Sequence, residues 1–165
     1  MDKRIMKELI SWLIVLVVAV ALAFLINKTI IYKVVTPTGS MENTIMTQQK
    51  VLVLRPAYLF SNPKRGDIVV FPFPDNESED RLKRIIGLPE EIIEGKDGLV
   101  YIDGEPLEES YVKEALDHDF GPFTIPEGKY FMMGDNRNSS IDARDWENKF
   151  VSKNKIKGKV VFKFP

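Results

Sequence analysis

Residues 9–26, LISWLIVLVVAVALAFLI, contain no charged side chain. Wound as an α-helix, this run is roughly 27 Å long, close to the hydrocarbon thickness of a bilayer. Lys3, Arg4 and Lys7 precede it, and Lys28 and Lys33 follow it. Its length and these flanking charges count against a buried helix of a soluble core. The small excess of positive charge on the amino side favours a cytoplasmic amino terminus. A cleaved leader is the rival reading, because Ala19–Ala23 (AVALA) offers small-x-small patterns. The apolar run, however, continues through Phe24, Leu25 and Ile26, which would put those patterns inside the membrane. The expected layout is a cytoplasmic stretch over 1–8, a transmembrane anchor over 9–27, a juxtamembrane linker over 28–35 and an extracytoplasmic domain over 36–165.

Past Asn27 the pattern changes to short β-type runs separated by Gly, Pro, Asn and Asp. They are KVLVL (50–54), DIVVF (67–71), RLKRIIG (81–87), EIIEG (91–95), LVYIDG (99–104), KYFMMG (129–134) and KVVFKF (159–164). Two Asp-Gly pairs flank one run in KDGLVYIDGEPL, a hairpin signal. No strong amphipathic helix appears, so the expected fold is mainly β, compact and barrel-like. The stretch from about 107 to 128, rich in Glu, Asp and Pro, reads as surface loop.

Several chemistries are excluded. The formal net charge is −1 and the 23 Lys and Arg are spread along the chain, which gives no nucleic-acid footprint. There is no cysteine, hence no thiol catalysis, cysteine metal site or disulfide. The one histidine, His118, sits among acids in ALDHDFGP and reads as an exposed loop residue, so a serine–histidine–acid triad is disfavoured.

Three stretches remain that can carry chemistry. In VVTPTGSMENTI (34–45), Ser40 is either a turn residue or a nucleophile, and a serine nucleophile needs a base in reach. In RLKRIIGLP, period-two alternation puts Lys83 on one face with Ile85 and turns Arg84 the other way. A solvated lysine, with pKa about 10.4, is protonated at neutral pH; desolvation would lower that value and make it a base. The third stretch, MGDNRNSSIDARDW (133–146), is either a loop tied by Asx turns and an Asp142–Arg144 pair or a scaffold whose hydroxyl orients a base.

Taken together and in this order, TPTGSMENTI, KRGDIVVF (64–71), RLKRIIGLP and GDNRNSSIDAR resemble the boxes of type I signal peptidases, membrane-anchored serine–lysine proteases that trim signal peptides from exported proteins. The segment between the last two boxes is short, as in Gram-positive-type enzymes. The resemblance implies Ser40 as acylating nucleophile and Lys83 as general base. It implies an oxyanion hole from the Ser40 N–H and the Thr38 hydroxyl, with Gly39 allowing a close backbone approach. Ser140 would hydrogen-bond the lysine, Asp142 and Arg144 would form a structural ion pair, and Asp135 matches a nearby acidic position. Ile31, Met41, Val70 and Phe71 become candidates to line shallow Ala-x-Ala pockets or touch lipid, although Val70 suits the core equally well. Asn43, Ala143 and Glu147 depart from the pattern, where proline, serine and glycine are common.

The resemblance further implies preprotein substrates, no metal or cofactor, a lipid bilayer around the anchor and proximity to the secretion translocon. One alternative keeps the fold but not the enzyme: a non-catalytic signal-peptidase-like factor in pilus assembly. A self-cleaving serine–lysine repressor would need a DNA-binding segment where the apolar helix stands. A membrane-tethered β module without activity would make the four boxes accidental.

Overall fold

A computed structural model describes residues 3–165. Helix α1 runs from Lys3 to Thr29, is apolar and long enough to cross a membrane, and packs none of that apolar stretch inside the molecule. Eleven strands follow. Seven form one antiparallel sheet: β1 (Ile31–Val35), β2 (Lys50–Leu54), β3 (Ile68–Phe73), β4 (Asn76–Gly87), β9 (Lys129–Met133), β10 (Phe150–Ser152) and β11 (Gly158–Lys163). Their order is β1-β2-β11-β3-β4-β9-β10. A second sheet, in the order β7-β6-β5-β8, joins β5 (Ile92–Lys96), β6 (Leu99–Ile102), β7 (Glu105–Pro106) and β8 (Phe120–Thr124). The fold is mainly β as expected, but the large sheet has two free ends, β1 and β10, and does not close into a barrel.

Both Asp-Gly pairs are hairpin turns. Asp97-Gly98 and Asp103-Gly104 all have positive φ, the two-residue geometry whose twist matches the flanking strands. They set Lys96 opposite Leu99 and Ile102 opposite Glu105. Within 28–35 the first residues finish α1, and Ile31–Val35 pair with Leu54–Lys50 as an edge strand. The stretch read as loop over 107–128 also contains β8.

Strand β3 shows how one apolar run serves two cores. Successive side chains of a strand point to opposite faces. Val69 and Phe71 accordingly enter the larger cluster with Ile85, Phe131, Met132 and Trp146, while Val70 joins Met41, Ile45, Val51 and Val53. Phe71 packs on Trp146 with ring centroids 5.9 Å apart. Strand β4 lies between β3 and β9, so the segment bearing Lys83 is central in the sheet and covered.

Candidate active site

The serine box is tied down before Ser40 is reached. Thr36 is buried, and its hydroxyl donates to the carbonyls of Met46 and Gln49, closing the loop between β1 and β2. Thr38 is extended and Gly39–Met41 form a single 3-10 turn. Met41, 2% exposed, plugs that turn into the smaller core and thereby fixes its neighbour Ser40. Asn136 grips the turn from outside: its N–H donates to the Ser40 carbonyl (3.1 Å) and its Nδ2 to the Gly39 carbonyl (3.0 Å). Ser40 Oγ lies 3.4 Å from Thr38 Oγ1. Among the hydrogen bonds of the described residues, the Ser40 N–H donates none.

Lys83 faces inward from β4, opposite Val69, and is 3% exposed. Nζ donates to Ser140 Oγ (2.8 Å), and Ser140 Oγ donates in turn to Asp142 Oδ2 (2.8 Å). Asp142 is fully buried. Oδ2 also accepts from the Gly134 N–H (3.0 Å) and from Arg144 (2.9 Å), and Oδ1 accepts from Arg144 Nε (2.8 Å). Burial lowers the Lys83 pKa to about 8; the Asp142 charge works against that fall, while the Arg81 and Arg144 charges add to it.

Gly134 brings the two halves together. A Cβ added there would lie 2.3 Å from Ser140 Oγ and 2.4 Å from the Ser40 carbonyl oxygen. Serine box and lysine partner therefore meet across one missing side chain. Among the described residues Ser40 Oγ makes no hydrogen bond to Lys83; what the structure draws together is the pair's surroundings.

Several expected residues take other positions. A Cβ at Gly39 would meet only the mobile end of the Glu42 carboxylate, at 2.9 Å, so the backbone does not demand glycine there. Asn43 has φ 83, a conformation closed to proline, and its Nδ2 donates to the Tyr111 carbonyl (3.0 Å). Phe71 is wholly buried against Trp146 and leaves no surface for a substrate. Met41 and Val70, each 2% exposed, are core residues, and Ile31 is half-buried in β1. His118 pairs with Asp117 at the surface.

Sequence reasoning named Asp135 but missed its partner Arg84 and the rest of a layer of buried charge behind the site. Arg84 binds Asp135 through two nitrogens and covers the Tyr111 ring at 3.8 Å. Arg137, 2% exposed, forks onto the Glu109 carboxylate (2.7 and 2.6 Å), while its Nε donates to the Gly134 carbonyl (3.0 Å). A signal was present for Arg84: the adjacent Ile85 and Ile86 point to opposite faces of the strand and both are covered, so both cations need partners.

Lys83 is enclosed and bonded to Ser140, while the one histidine lies at the surface beside Asp117. Residues 9–164 match the family described as signal peptidase, peptidase S26, and the chain belongs to that family. Signal peptidase I of Bacillus licheniformis is 34% identical over 168 residues, covering 96% of this chain and 89% of the relative. Signal peptidase I S of Bacillus subtilis (strain 168) is 36% identical over 158 residues, covering 89% and 84%. The crystal structure of a signal peptidase I from Enterococcus faecalis V583 superposes with a TM-score of 0.54 at 35% identity, over 61% of this chain and 98% of that one. The activity is that of a type I signal peptidase, and its substrates are preprotein signal peptides. None of these relatives points to a non-catalytic role in pilus assembly.

Proposed function

We propose that Ser40 and Lys83 are the catalytic pair, with Ser40 Oγ attacking the carbonyl after a small-x-small (Ala-x-Ala) sequence. The observation that carries this reading is the state of Lys83: enclosed, lowered to about 8, and hydrogen-bonded by a serine whose own proton is spent on Asp142. Ser140 can only accept from Lys83. Once neutral, Lys83 keeps its lone pair free for the Ser40 proton.

In acylation Lys83 takes the Ser40 proton as the Oγ–carbon bond forms. The oxyanion is received by the Ser40 N–H and the Thr38 hydroxyl. As the amide carbon–nitrogen bond breaks, the Lys83 ammonium protonates the departing amino terminus of the mature chain. Lys83 then takes a proton from water, the resulting hydroxide attacks the ester, and Ser40 recovers its proton. No step uses a metal or cofactor. Asp142 with Arg144, and Asp135 with Arg84, position Ser140 and the surrounding loop and do not touch the substrate.

The anchor reading assigns α1 to the bilayer, with a cytoplasmic amino terminus and the β domain on the outer face of the cell membrane, near the exit of the translocon. Lys3, Arg4 and Lys7 before the apolar run support that orientation.

The test is cleavage of a preprotein whose signal ends in Ala-x-Ala, in lipid vesicles, with the product termini read by mass spectrometry. The wild type cuts at that junction, while Ser40→Ala and Lys83→Ala leave the precursor whole. A fully active Lys83→Ala enzyme would remove Lys83 as the base.

A further inference from the structure

A cavity of about 530 Å³ opens on the β domain, and none of Ser40, Lys83 or Ser140 lines it. Its walls include Arg55, Tyr58, Leu59, Lys153 and Ile156, and no acidic residue. Its height relative to a membrane is fixed by a hydrogen bond. The Arg55 N–H donates to the carbonyl of Ile30 (2.8 Å), and the Ile30 N–H donates to Ile26 within the last turn of α1. If α1 spans the bilayer, Arg55 stands at the membrane surface. The cavity it borders then lies in the headgroup layer, which is about 6 Å deep on each side.

Neither cation of the cavity has an ion-pair partner among the described residues. Further along the same segment, Lys155 pairs with Glu77, Lys157 with Asp80 and Lys159 with Asp67. Lys153 instead donates to the neutral Asn62 amide (2.7 Å), and Arg55 lies 4.0 Å over the Tyr32 ring. The rim is apolar: Leu59 is 70% exposed and Phe60, next in the chain, is 99% exposed. The Tyr58 hydroxyl donates to Asp67 (2.8 Å), which fixes its ring as one wall.

We propose that this cavity seats the headgroup of an anionic phospholipid. The phosphodiester lies between Arg55 and Lys153, and an acyl chain leaves along Leu59 and Phe60. A zwitterionic lipid carries the same phosphate but also an ammonium group, and the walls offer that group no carboxylate. The selectivity thus follows from the acid-free lining. The inference rests on the anchor reading of α1 and is independent of the chemistry at Ser40.

The test uses the full chain in nanodiscs of equal phosphatidylglycerol and phosphatidylcholine, counting lipids retained on the protein by native mass spectrometry. Phosphatidylglycerol is retained preferentially, and 10 mM inorganic phosphate does not displace it. Each basic residue at a membrane surface adds about 1 kcal/mol, so Arg55→Gln and Lys153→Gln each reduce the preference about fivefold. Lys155→Gln leaves the preference intact. Lys153 is at the surface and its replacement disturbs no core contact, so that variant stays informative should Arg55→Gln perturb Tyr32. Cleavage of a signal peptide in detergent is unchanged in Lys153→Gln. Equal retention of both lipids by the wild type, or undiminished preference in both variants, overturns the proposal. Displacement by phosphate would make the cavity a general anion site, and failure of the chain to enter nanodiscs would overturn the anchor reading itself.

Discussion

Replacing Lys83 with methionine is expected to abolish cleavage and yet stabilise the fold at neutral pH. The folded-state pKa of Lys83 is about 8, against about 10.4 for a lysine in the unfolded chain. Between those values the unfolded chain binds more protons, so stability rises with pH across that window. Below pH 8 the full penalty for holding this lysine applies, about 3 kcal/mol at pH 7. Methionine fills the same space without a charge. It forfeits the hydrogen bond to Ser140, worth about 1 kcal/mol, but Ser140 keeps Asp142 as acceptor, so no buried donor is orphaned. The net gain is about 2 kcal/mol at pH 7, and it vanishes by about pH 10 as the wild-type lysine loses its proton. Urea unfolding of both proteins in detergent micelles at pH 6 to 10, followed by fluorescence of the core residue Trp146, reads the difference. A variant less stable than wild type at pH 7, or a difference flat across that range, would refute the account of a desolvated lysine.

Two further substitutions probe what surrounds the pair. Gly134→Ala drives a Cβ into Ser140 Oγ and the Ser40 carbonyl. It should cost about 1–3 kcal/mol in thermal or urea melts, and a shift of about 1 Å at Ser40 should lower kcat about a hundredfold. Asp142→Asn strips the counter-charge from Arg144, whose side chain is 1% exposed; unfolding should show a loss of about 3–5 kcal/mol. The same change removes the charge that holds the Lys83 pKa up, so in the surviving folded enzyme the acidic limb of kcat/KM moves to lower pH.

Legibility from sequence followed how local each cause was. The Asp97-Gly98 and Asp103-Gly104 turns were readable because positive φ is a property of two residues. The strand 50–54 was readable because its alternation meets one covered face and one half-covered face. Strand β1 was hidden by its position: five residues with a lysine at their centre, directly after a helix, look like a linker until β2 pairs with them. The stretch 107–128 looked like solvated loop because of its acids. Yet Glu109 is an interior counter-charge to Arg137, and Phe120 and Phe123 join the larger core, facts set by partners 28 residues away or in another sheet. Near the site, residue type pointed to Ser40 and Lys83 but not to Gly134 or Asn136, whose importance lies in the close approach of two distant loops.

The most direct measurement of the central claim is the pH dependence of kcat/KM on an Ala-x-Ala preprotein, which reports the free enzyme's essential groups. A neutral Lys83 acting as base predicts activity that rises with pH and levels off above about 8, with no change in His118→Ala. An acidic limb that disappears in His118→Ala, with Lys83→Met still active, would contradict it.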